Sequence, residues 1–186
     1  SCRLVLWGIG VSGFCALAYE VLWTRMLTMV VGTSPYGFTT MLVAFLTGIA
    51  CGSSALGIAR RIAGHDPVGR RAVAAFGLIL VAAGLSALVV TAMIKDLPDH
   101  AVKLQTIFFS GSQEFGARQW SNFLVAFCTM FIPAFLGGVA LPLAGTIHAA
   151  YRQRIASAVG EVLTFNTVGA ILGSAISGFV LVYFFG

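Results

Sequence analysis

Five stretches of this sequence, residues 4–19, 26–59, 72–94, 119–151 and 162–186, contain no Asp, Glu, Lys or Arg. Together they make up more than two thirds of the chain. Hydrophobic residues account for 59% of the composition and charged residues for 9%, against roughly 25% charged in soluble domains. Too few polar residues remain to cover that much apolar surface in water. Crossing a hydrocarbon core of about 30 Å takes about 20 helical residues, and lipid supplies no partner for an unpaired backbone group. The pattern therefore predicts an all-α fold, a polytopic helical membrane bundle of about five transmembrane helices. The spans fall at about 4–31, 36–59, 72–94, 120–149 and 162–185, in a single transmembrane domain over 1–186. The first is longer than a crossing requires, which predicts tilting or a bend at Gly8, Gly10 and Gly13.

Loop charges give the orientation. Arg60, Arg61, Arg70 and Arg71 outnumber Asp66 after the second span, and Arg152 and Arg154 follow the fourth. Between spans three and four, Lys95, Lys103 and Arg118 are balanced by Asp96, Asp99 and Glu114. The positive-inside rule then predicts a protein integral to the cytoplasmic (inner) membrane, with its N-terminus inside and the C-terminal end of this chain outside. The net charge of +5 is accounted for by these loops, so no nucleic-acid partner is expected. Within the outer segment, Leu97, Ala101, Leu104 and Phe108 share one helical face, and Pro98–Asp99 is a helix start. A short interfacial amphipathic helix is expected at about 99–109, with Phe115 and Trp120 as anchors. An odd number of spans and the missing initiator Met predict a trimmed chain with a further helix outside it.

The expected partners are the lipid bilayer and other integral-membrane subunits. Gly48 and Gly52 form a GxxxG step, Gly169, Gly173 and Ser177 a second small-residue ridge, and Gly138 with Pro142 a third. Lipid tails are as apolar as leucine, so helices associate through close van der Waals packing, which small residues permit. The predicted role of these six small residues is helix packing, inside the bundle or against a partner. The segment Ala44-Phe45-Leu46-Thr47-Gly48-Ile49-Ala50 is echoed by Ala134-Phe135-Leu136-Gly137-Gly138-Val139-Ala140. Both segments lie on spans that run outside to inside, the mark of a parallel internal repeat.

Polar residues inside the spans are costly and mark candidate sites. Glu20 and Arg25 lie five apart, too far around a helix to pair on one face. With Asn166 they form a possible intramembrane polar site. The competing reading puts the two charges at the outer interface, with Trp23 as an aromatic anchor. His65, His100 and His148 are expected to be solvated or interfacial. Of the four cysteines, Cys15, Cys51 and Cys128 lie in apolar runs and are expected to be buried small hydrophobes. No metal site is expected, no cofactor is predicted, and a bound lipid or pigment has no support in the sequence. No catalytic constellation is present among the motifs.

Ser12-Gly13-Phe14 followed by Tyr19-Glu20-Val21-Leu22-Trp23-Thr24-Arg25 resembles the first-helix signature of spermidine synthase-like integral membrane proteins. These fuse a major-facilitator-like membrane region to a polyamine aminopropyltransferase domain. Phe45-Leu46-Thr47-Gly48 to Gly52-Ser53 is similar to that family's second helix. The stretch from Pro133 to Leu143 is similar to its proline-bracketed helix, and Asn166 to Ser174 to its asparagine–glycine helix. The resemblance implies the membrane half alone, since the Rossmann-type catalytic domain is not among these residues and no residue here carries aminopropyl transfer. The expected function is a non-catalytic integral-membrane scaffold or anchor subunit packing against partner membrane proteins. The alternatives are a transporter-like module for a small cationic solute such as a polyamine, or the membrane anchor of an aminopropyltransferase whose catalytic domain lies outside this chain.

Overall fold

The computed structural model describes residues 2–31, 35–64, 69–93, 115–152, 155–181 and 183. Every element among them is helical: α1 (Cys2–Val31), α2 (Pro35–Ala63), α3 (Arg70–Met93), α4 (Phe115–Arg152) and α5 (Ile155–Ile176), with α5 closing in a wider π-helical turn, Ser177–Leu181. Each of the five carries an apolar window long enough to cross a membrane: Arg3–Arg25, Met41–Ala63, Arg70–Ala92, Phe127–Arg152 and Ile155–Val180. A lipid bilayer is therefore the environment of this bundle. The exterior agrees, because leucines and isoleucines such as Leu78, Leu85, Ile171 and Leu172 are exposed on the outer faces of α3 and α5.

At about 1.5 Å per residue, the 38 residues of α4 extend about 57 Å, well beyond the hydrocarbon core. Pro133 and Pro142 lie inside it without ending it. Proline removes one backbone donor, and one turn past Pro142 the Thr146 hydroxyl donates to the Pro142 carbonyl at 2.9 Å. Helix α4 is the central element, in contact with all four others. At the far end of α2, Gly64 adopts φ +69° and its N–H reaches the Arg60 carbonyl at 3.1 Å. This left-handed C-cap favours glycine.

Two helix pairs dominate the packing, α2 with α4 and α1 with α5. Both pairs are parallel. Along α1 and α5, Gly10 meets Gly169, Phe14 meets Gly173 and Ala18 meets Ser177, so the rungs climb both helices together in steps of four. Along α2 and α4, Gly48 meets Phe131 and Ala134, Ile49 meets Gly138, and Gly52 meets Phe135 and Val139. Helices that alternate up and down across a membrane place odd-numbered spans parallel to one another and even-numbered spans likewise. The pairing found here has that parity. The repeated segments around Gly48 and Gly138 thus pack in one interface and run the same way. They are staggered by about one turn, since Gly48 lies against Ala134 and not against Gly138 itself.

Two core layers result. One gathers Val5, Ile9, Ala72, Phe76, Leu143, Ile147 and Val162. It joins the beginnings of α1, α3 and α5 to the end of α4, so Arg3, Arg60, Arg61, Arg70, Arg71 and Arg152 all lie at this end of the bundle. The other gathers Trp23, Met41, Ala44, Ala87 and Met130 toward the opposite end.

Helix α1 continues through Gly8, Gly10 and Gly13, where the expectation was a tilt or a bend, and the missing side chains there admit Phe76, Phe165 and Asn166; this continuity is compatible with either. Helix α5 starts at Ile155, seven residues before the expected span at about 162–185, and so includes Glu161, whose partners lie on α4. Several sequence expectations are corrected. Trp23 is no interfacial anchor: it is buried in the second core layer, where its indole N–H donates to the Thr91 hydroxyl at 3.4 Å. Cys15, Cys51 and Cys128 are exposed on the outer faces of their helices, since small residues other than cysteine hold the close contacts. The expected interfacial helix at 99–109, His65 and His100 lie outside the described residues.

Candidate functional site

Helices α4 and α5 are antiparallel neighbours joined across residues 153–154. His148 and Arg152 are four apart at the end of α4, hence on one helical face. Glu161, on α5, meets both. The His148 Nε2 lies 2.6 Å from the Glu161 Oε2. One Arg152 Nη2 lies 3.1 Å from that same oxygen and 3.0 Å from Oε1. His148 is 1% exposed, Glu161 32% and Arg152 55%, so the cluster grades from the protein interior to its surface.

This contradicts the expectation of a solvated or interfacial His148. The physical reason is the carboxylate: a buried polar group is tolerated when it is hydrogen-bonded, and Glu161 supplies the partner. With Glu161 ionised, the acceptor-only carboxylate accepts hydrogen bonds from the Nε2–H of the imidazole and an N–H of the guanidinium at once. Chemically, the arrangement can hold a proton between an imidazole and a carboxylate, with a cation fixing the carboxylate's orientation. Structurally, it ties α4 to α5 at the arginine-rich end.

The residues singled out from the sequence are placed as follows. Asn166 sits against Gly13, where the Asn166 carbonyl and side-chain Oδ1 occupy the space a Gly13 side chain would need. Glu20 is half-buried on α1, seven residues past Gly13 and three before the buried Trp23. Arg25 is exposed. At 1.5 Å per residue, Glu20 is about 10 Å and Arg25 about 18 Å along α1 from the level of Asn166. The three are strung along one helix pair and do not converge on one point.

The small residues lie in the two parallel interfaces. A side chain added at Gly52 would strike the Phe135 carbonyl, at Gly138 that of Ile49, at Gly169 that of Gly10, and at Gly173 that of Phe14; at Gly48 it would come 2.7 Å from the Ala134 Cβ. Each carbonyl-facing glycine directs a Cα–H at a backbone oxygen of the neighbouring helix, a weak hydrogen bond of roughly 0.5–1 kcal/mol. Ser177 is fully buried and its hydroxyl donates to the Ala18 carbonyl at 3.1 Å.

Sequence reasoning missed two features. The His148–Arg152–Glu161 cluster was detectable as a helix-end His and Arg four apart, followed after a short connection by one acid. The second is the ring ladder Phe123–Phe127–Phe131–Phe135, with centroids 5.7, 4.6 and 5.9 Å apart, whose signal is phenylalanine at every fourth position. No protein family, curated protein or solved structure matches the chain.

Proposed function

We propose that this chain is a non-catalytic integral-membrane scaffold or anchor, set in the cytoplasmic membrane with its arginine-rich end inside, and similar in role to the membrane half of spermidine synthase-like proteins. The observation that carries the reading is the contrast between the helices' two kinds of face. The backbone-contact glycines are used within the chain, on α1–α5 and α2–α4. Around Gly77 and Gly84 of α3 there is open space, and the α3 window is 11% buried against 33% for α4. A helix held on one side only, with glycines on its free side, suits contact with another membrane subunit.

The test is a photo-reactive residue placed at Leu78 or Leu85, both exposed on α3, and activated in native membranes. A scaffold subunit gives one discrete protein adduct whose yield falls several-fold when Gly84→Trp blocks the face. Adducts with lipid alone at both positions contradict the proposal.

A further inference from the structure

We infer that the cleft between α2, α4 and α5 seats one anionic phospholipid from the leaflet at the arginine-rich end, its phosphate beside Arg60 and an acyl chain running toward Ile49 and Gly138. The cleft encloses about 850 Å³ and is lined by apolar side chains and small residues, among them Gly145, Val159 and Leu163. Arg60 is the one charged residue among the described residues that line it, and it stands at the end nearest the other arginines. The cleft's two hydroxyls are engaged with their own helices, Ser53 with the Ala50 carbonyl and Thr146 with that of Pro142. What the lining offers a ligand is therefore one cation and a long hydrocarbon surface.

The dimensions select the ligand. From Arg60 to Ile49 is eleven residues of α2, about 16 Å along the axis. Half of a 30 Å hydrocarbon core is about 15 Å, so the cleft has the depth of one leaflet, with its cation at headgroup level. Val159 and Leu163 are exposed toward the lipid, which leaves the cleft open sideways to the bilayer. Arg60 also makes an interaction within the chain, but a guanidinium carries five N–H donors and retains capacity for a phosphate oxygen. Basic pockets between membrane helices are recognised seats for anionic headgroups. A partner helix in the same cleft would have to bring its own anion to the level of Arg60, whereas a phospholipid carries one there by construction.

Native mass spectrometry of the detergent-purified protein, titrated with dioleoyl phosphatidylglycerol or dioleoyl phosphatidylcholine, tests this. The two lipids share their tails, so any preference reports the headgroup. Wild type is expected to hold phosphatidylglycerol about fivefold more tightly, the effect of one surface arginine. Arg60→Gln abolishes the preference, and Arg61→Gln, exposed and outside the cleft, keeps it. Gly145→Leu, whose first added atom meets only Val159 at 4.0 Å, fills the cleft and lowers the binding of both lipids. Equal affinity of the wild type for the two lipids overturns the inference. So does an equal loss in Arg60→Gln and Arg61→Gln, which would reveal diffuse surface attraction. Lipid binding untouched by Gly145→Leu would place the lipid elsewhere and overturn it as well.

Discussion

Gly169→Ala is expected to loosen α5 from α1 and lower stability, although alanine is the better helix former. In an open helix position the exchange favours folding by up to about 1 kcal/mol. At Gly169 the added methyl lands on the Gly10 carbonyl, deep inside contact distance. Backbone cannot rotate away as a flexible side chain can, so the helices must separate. Overpacking of this kind costs about 1–3 kcal/mol, and the parting also breaks the neighbouring rungs at Gly173 and Ser177. The net expectation is a loss of about 1–2 kcal/mol for alanine and more for leucine. Gly84→Ala is the internal contrast, because nothing lies within 4 Å of the added atom; it should be neutral or slightly stabilising. Thermal unfolding in mild detergent checks both, and equal effects at the two glycines would contradict the packing described above.

The second large effect is an asymmetry within the α4–α5 cluster. Glu161→Leu removes the Nε2 partner of an imidazole that is 1% exposed, taking that hydrogen bond away from a buried ring nitrogen. His148→Leu keeps the volume and leaves Glu161 with Arg152 and solvent. A hydrogen bond removed together with its donor costs about 1 kcal/mol, whereas an orphaned buried group suffers the full desolvation penalty. Glu161→Leu should therefore lower the melting temperature more than His148→Leu does. The double variant should recover most of the difference, since the buried ring nitrogen that lost its carboxylate is then gone as well. Strictly additive losses would mean that the two side chains do not depend on each other.

The fold was legible because its dominant constraint is compositional. Long apolar stretches without charge, four of the five exceeding 20 residues, have few folded alternatives to a membrane helix, and the described residues form five helices long enough to cross. Small residues spaced by four, such as Gly48 with Gly52 and Gly169 with Gly173, could be recognised as close-packing positions. Which helix each would meet was not legible, because spacing fixes a face and leaves its neighbour unspecified. The same gap explains the misreadings. His148 looked interfacial because its partner is thirteen residues away on another helix, and Trp23 looked like an anchor because Thr91 is sixty-eight residues away. The lipid-facing cysteines show the limit of a soluble-protein habit: in a bilayer the outer face is as apolar as the core, so apolar character does not report burial.

The central claim is that two parallel, glycine-lined helix pairs build this bundle in the membrane. It is tested most directly by thiol cross-linking in membranes, on a background in which the four native cysteines are replaced. Trp7 and Phe165 pack edge to face with ring centroids 6.1 Å apart, so Trp7→Cys combined with Phe165→Cys should form a cross-link through a short bifunctional reagent. In the parallel arrangement, Trp7→Cys combined with Phe179→Cys should not, because fourteen residues, about 21 Å of helix, separate Phe179 from Phe165. Cross-linking of Trp7→Cys to Phe179→Cys, with none to Phe165→Cys, would show an antiparallel pair and contradict the account.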